Sequence, residues 1–182
     1  MEMEFTYRFE AAHRFMGASS PKCMTPHGHT WWTRLNFRAT GSSLNSNAMI
    51  AEFASVKTPW KAFIDTVADH SFFHHIQDPL AFHSKKEIPG FRGLPFPEDP
   101  TTELISILFL EKAKQIVAEI KEQKGLEIEV ESIEIQETPT NKISVSVDSQ
   151  MFMNTIAKLN PEWQAWWQNP NVEDRNLNST RS

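Results

Sequence analysis

Odd positions from Met3 to His13 carry Met, Phe, Tyr, Phe, Ala and His, while even positions carry Glu, Thr, Arg, Glu and Ala. Such alternation describes a strand with one face toward a core. Residues 17–26 are rich in Gly, Ser and Pro and predict a loop. Alternation resumes over 29–40, where Trp31, Leu35 and Phe37 share the parity of His27 and His29. After a small-polar connection, Phe53, Val56, Trp60, Phe63, Ile64 and Val67 recur at helical spacing, giving a helix broken or started near Pro59. Residues 78–99, with several Pro and Gly, read as an irregular loop, long enough for a lid or packing arm.

Asp99 can cap a second helix with Pro100 at its first position, an apolar stripe through Ile105, Phe109, Ala113, Ile116 and Ile120, and Gly125 as its stop. Next, Leu126, Ile128 and Val130 are apolar at even numbers but Ile133 and Ile135 at odd ones, so a bulge near Glu131 and Ser132 is expected. The slip puts Glu137 on the apolar face, where a carboxylate needs a partner. A turn then leads to a strand with Ile143, Val145 and Val147. Beyond Gln150 helical spacing returns, followed by E-W-Q-A-W-W and a polar end. The expectation is an α+β domain over 1–149, a four-stranded antiparallel sheet with two helices on one face, then a helical, Trp-rich appendage over 150–182 with a disordered end.

Composition narrows the class. The 182 residues are 40% hydrophobic and 23% charged, with a formal net charge of -5 and one cysteine. A broad nucleic-acid surface is disfavoured by that charge, and no intramolecular disulfide is possible. There is no membrane-spanning run and no signal-peptide pattern at the N-terminus, so a cytoplasmic protein with a small-molecule partner, not a membrane or nucleic acid, is expected.

The chemistry concentrates in K-C-M-T-P-H-G-H at 22–29. His27 and His29 point the same way if Gly28 is extended, and His13 ends an apolar face. Three histidines without a fourth ligand describe an open site of the kind catalytic zinc uses, although a lone H-x-H is also common in strands. Cys23 then reads as a reactive group beside the metal, against the alternative of a small buried hydrophobe. Asp69 and His70 can pair as a relay that orients a general acid or base, or can be a solvated helix end.

These residues together resemble the 6-pyruvoyltetrahydropterin and 6-carboxytetrahydropterin synthase family, over roughly residues 3–148 with a longer middle loop. F-E-A-A-H-R and C-M-T-P-H-G-H are similar to the segments carrying three zinc histidines and the nucleophile. M-I-A-E-F-A-S-V-K, A-D-H, P-T-T-E and Q-E-T-P-T-N follow in the family's order. The resemblance implies the tunnelling fold, with sheets of several copies joined into a barrel, usually a hexamer of two stacked trimers with active sites between subunits. It implies Zn²⁺ on His13, His27 and His29, Cys23, Asp69 and His70 as catalytic groups, and Glu137 with Thr102 and Glu103 toward the substrate, 7,8-dihydroneopterin triphosphate. Arg14 and Lys22 are candidates for the triphosphate. Departures are Phe73 and His74 where Leu-Asn is usual, Glu52 for Asp and Leu104 for Asn. Only three residues separate Cys23 from His27, as in the carboxy enzymes of queuosine synthesis. The implied product is therefore 6-carboxytetrahydropterin, with acetaldehyde and triphosphate released. Alternatives are the 6-pyruvoyl product of the biopterin pathway and a non-catalytic zinc or pterin binder.

Overall fold

The computed structural model describes residues 1–159. Strands β1 (Glu2–His13) and β2 (His27–Ala39) pair antiparallel along their whole length, which sets His13 opposite His27. On the odd face Met3, Phe5, Phe9, Ala11, Trp31, Leu35 and Phe37 are buried. The even face carries Glu4, Arg8, Glu10, Trp32, Arg34 and Arg38, which is the alternation read from the sequence.

Next to β2 lie β5 (Ile128–Gln136) and β6 (Lys142–Ser146), both in antiparallel pairings. The register shifts between Asn36 and Phe37, which pair with Ser132 and Val130 and leave Glu131 as the extra residue. The expected bulge is present, and both apolar sets of β5 reach the core.

The four-stranded antiparallel expectation needs correction. On the other side of β1 stand β3 (Ser71–His75), parallel to it, and β4 (Gly93–Phe96), parallel to β3, so the sheet is six-stranded and mixed in the order β4-β3-β1-β2-β5-β6. Runs of five and four residues are too short to display a period.

A short helix α1 (Pro21–Met24) interrupts the expected loop of 17–26. Helix α2 (Phe53–Phe63) accommodates Pro59 without ending, and it passes into a π-helical turn over Ile64–Ala68. The 78–99 segment, expected to be irregular, contains helix α3 (Pro79–Glu87) as well as β4. Asp78 caps α3 by accepting from the Leu80 N–H at 2.8 Å, with Pro79 in the first turn.

Helix α4 (Thr102–Lys124) is capped by Thr101, whose hydroxyl accepts from the Leu104 N–H, instead of by Asp99. It ends as expected at Gly125, in the left-handed region at φ 63°. Helix α5 (Gln150–Lys158) lies near α4, its Phe152 buried with the Lys114 ammonium 4.8 Å from the ring centroid. The E-W-Q-A-W-W segment and the expected disordered end lie outside the described residues.

Helices α2 and α4 pack on the odd face of the sheet through Val56, Trp60, Phe63, Ile105, Leu108 and Phe109. Phe9, Trp31, Phe73 and Phe109 form one aromatic cluster with centroid separations of 6.0 to 6.3 Å. Each buried Phe contributes roughly 1.5 to 3 kcal/mol. His13 lies at the end of this cluster, its ring 5.1 Å from that of Trp31. No helix among the described residues is long and apolar enough to cross a membrane.

Candidate metal centre and active site

His13, His27 and His29 meet at the end of the β1–β2 hairpin, each offering a ring nitrogen within 4.8 Å of the others. Their parity brings them onto one face, as alternation requires. Second partners fix two of the rings. His13 Nδ1 donates to the Pro100 carbonyl at 3.1 Å and His27 Nδ1 to the Thr25 carbonyl at 2.8 Å, which leaves each Nε2 lone pair free to ligate.

The His13 Nε2 atom is fully buried and has no hydrogen-bond partner, while Glu137 Oε1 stands 3.4 Å from it. A lone pair facing a carboxylate calls for a cation between them. A proton is disfavoured there: burial, with the neighbouring His27 and His29 charges, pushes the His13 pKa down to about 4, against the raising effect of the Pro100 bond. Burial also lowers His29, opposed by Glu137 at 3.9 Å. Neutral imidazoles, an orphaned buried nitrogen and a nearby carboxylate fit a divalent metal ion. Pro100 and Thr25 were not legible in the sequence, because a backbone carbonyl leaves no side-chain signature.

Cys23 lies on α1, partly exposed. Its carbonyl accepts from the Phe15 N–H at 2.9 Å, and the Phe15 ring packs 4.8 Å from that of His13. The backbone of the cysteine is thus tied two residues from His13, a member of the histidine cluster.

The π-helical turn delivers Asp69 and His70. Asp69 Oδ2 accepts from His70 Nδ1 at 2.7 Å, and Oδ1 from the Glu10 N–H at 2.9 Å. Burial raises the Asp69 pKa, but these two bonds and the Arg92 charge outweigh it and hold the carboxyl below its ordinary value. His70 adopts φ 55°, a left-handed backbone that non-glycine residues rarely take, and such outliers concentrate at functional sites. Its exposed ring borders an open cleft of about 460 Å³, shared with Glu10, Gly28, His29, Phe72 and Arg92. Glu10, Gly28 and Thr30 belong to the even face, so the Asp69–His70 pair opens on the side of the sheet opposite the core.

Of the other candidates, Thr102 is buried in the first turn of α4 and Glu103 is exposed. What links their segment to the histidines is the Pro100 carbonyl. Lys22 is exposed on α1. Arg14, considered for the triphosphate, is engaged otherwise: its Nε donates to Asp78 Oδ2 at 2.7 Å and its Nη2 donates to Oδ1.

Residues 2–148 match the model of the family described as 6-pyruvoyl tetrahydropterin synthase. An uncharacterised protein of Wolinella succinogenes aligns with a TM-score of 0.64 at 22% identity, covering 81% of this chain and 98% of that one. The 6-pyruvoyl tetrahydropterin synthase of Caenorhabditis elegans aligns at 0.53 and 23% identity, covering 80% and 94%. That of Plasmodium vivax aligns at 0.54 and 20% identity, covering 80% and 97%. These structures share the fold with the chain. The comparison with curated proteins gave no match.

Proposed function

The chain belongs to the 6-pyruvoyl tetrahydropterin synthase family, and on that premise we propose that it is a zinc-dependent lyase converting 7,8-dihydroneopterin triphosphate and one water to 6-carboxytetrahydropterin, acetaldehyde and triphosphate. The observation that carries this reading is the trio of convergent histidines, one with an orphaned buried nitrogen, tied through Phe15 to the chain's single cysteine.

His13, His27 and His29 would hold Zn²⁺, which when bound supplies Lewis acidity toward the hydroxyls of the substrate side chain. Cys23 takes and returns the protons of the adjacent C–H bonds. His70, oriented by Asp69, is the partner acid or base. Because that pair faces the open side of the sheet, it serves a site completed by another copy, in keeping with a homo-oligomer that closes its sheets into a barrel, a hexamer of two trimers. Glu137 accepts from the pterin amino and ring N–H groups, and Thr102 and Glu103 line the approach.

The three-residue spacing between Cys23 and His27 favours the carboxy product. A chain spans at most about 3.3 to 3.6 Å per residue, so a short tether limits where the thiol stands relative to the bound side chain. The second reading, the 6-pyruvoyl product, is favoured by the description of the matching family. Incubation of zinc-loaded protein with dihydroneopterin triphosphate separates the two. Acetaldehyde and triphosphate are expected together, and neither from His27→Ala, which should also carry less metal. Triphosphate with a 6-pyruvoyl product and no acetaldehyde supports the second reading. Release of neither would leave a binder without turnover.

A further inference from the structure

We propose that the 78–99 segment positions the catalytic thiol: Asp78 and Asp99 clamp the loop that carries Cys23, with Arg14 as the link. This rests on the reading of Cys23 as proton carrier.

Helix α1 fully buries none of its four residues, so close packing of α1 is not what fixes Cys23. Polar bonds do. Arg14, the residue after the metal-binding His13, grips Asp78 with two donors and donates from Nη1 to the Met24 carbonyl at 3.4 Å, next to Cys23. Asp78 is fully buried and is itself set by its cap on α3. At the other end of the segment, Asp99 accepts from the Met16 and Gly17 N–H groups at 2.9 and 2.8 Å. The two carboxylates that flank the segment therefore hold the start of the cysteine loop, and Arg14 reaches its far end.

Stability alone is a weak reason for this design, since a buried ion pair often contributes no more than apolar residues of similar size. Direction is what it supplies. A planar guanidinium bound at two points fixes the third donor, and with it the Met24 carbonyl. Displacing a proton carrier by about 1 Å can cost on the order of a hundredfold in rate.

Because Cys23 is the only cysteine, alkylation of the native, metal-loaded chain with iodoacetamide reports that thiol alone. Arg14→Lys and Asp99→Ala are expected to keep their metal, to change the alkylation rate by about threefold or more, and to lower kcat by on the order of ten- to a hundredfold. Their KM should stay within about twofold of wild type. Added to Cys23→Ala, either substitution should cost little further turnover. Wild-type alkylation rates, or an unchanged kcat, overturn the proposal. A raised KM with kcat intact also overturns it and returns Arg14 to the triphosphate. If Arg14→Lys does not fold, Asp99→Ala decides, because Asp99 is only partly buried. Near wild-type turnover in Cys23→Ala alone refutes the proton-carrier reading, and the alkylation rates then still decide whether the clamp sets the thiol.

Discussion

Asp78 shows how a residue can be invisible in the sequence and decisive in the fold. It lies 64 positions from Arg14, and neither carries a pattern that announces the other. The meeting of His13, His27 and His29 and the pairing of Asp69 with His70 were legible because residue type, parity and close spacing set them. Burial raises the Asp78 pKa, but the Arg14 bonds, the Leu80 N–H and the Arg14 charge outweigh it and hold the carboxyl below its ordinary value. The unfolded chain, with an aspartate pKa of about 3.9, therefore takes up protons before the folded one as pH falls. The stabilisation is complete above about pH 4 and is lost as pH drops through the folded value. Asp78→Asn should cost roughly 3 kcal/mol near neutrality, as removal of one partner from a buried pair does. Urea unfolding at neutral pH and again below about pH 4 checks it: the gap to wild type should narrow in acid, and a constant gap would contradict the assignment.

At the scale of elements, the sequence was most informative where a period persisted. The long strands β1 and β2, helix α4 and the slip in β5 all follow from apolar spacing. An Asp-Pro pair occurs twice, at 78–79 and at 99–100, and only the first starts a helix. At the second, Thr101 takes the cap while Asp99 turns to the backbone of Met16 and Gly17, a competition among acceptors that the local sequence does not rank. The bulge at Glu131 gives a direct test. Deleting that residue removes the extra position, so that Val130 on Phe37 and Ser132 on Asn36 become consecutive pairs of a regular ladder with Ile128, Val130, Ile133 and Ile135 all on the core face. The expected result is a cooperative unfolding transition by near-UV circular dichroism that survives the deletion. Loss of that transition would show that β5 needs the bend of the bulge to pack on the core.

At the scale of the molecule, one face of the sheet is roofed by α2 and α4, and among the described residues the other is open. Ion pairs cross the open face between Arg34 and Glu4, Arg34 and Glu134, and Lys142 and Glu134, around a Trp32 that is 40% exposed. Strands β4 and β6 are the two ends of the sheet, and such edges invite further pairing. Light scattering on the purified chain should therefore give a mass several times 20.9 kDa, and a monomer at micromolar concentration would rule out the proposed barrel.

The β1–β2 hairpin has a bearing on how the chain assembles in time. All three clustered histidines lie on that one local unit, whereas the parallel pairing that seats Asp69 and His70 joins Ala11 to Ser71. Contacts so distant along the chain wait for a large loop to close. If the three histidines hold the proposed ion, a refolding chain would capture it before the Asp69–His70 pair and the thiol are in place, so metal occupancy would be no measure of competence.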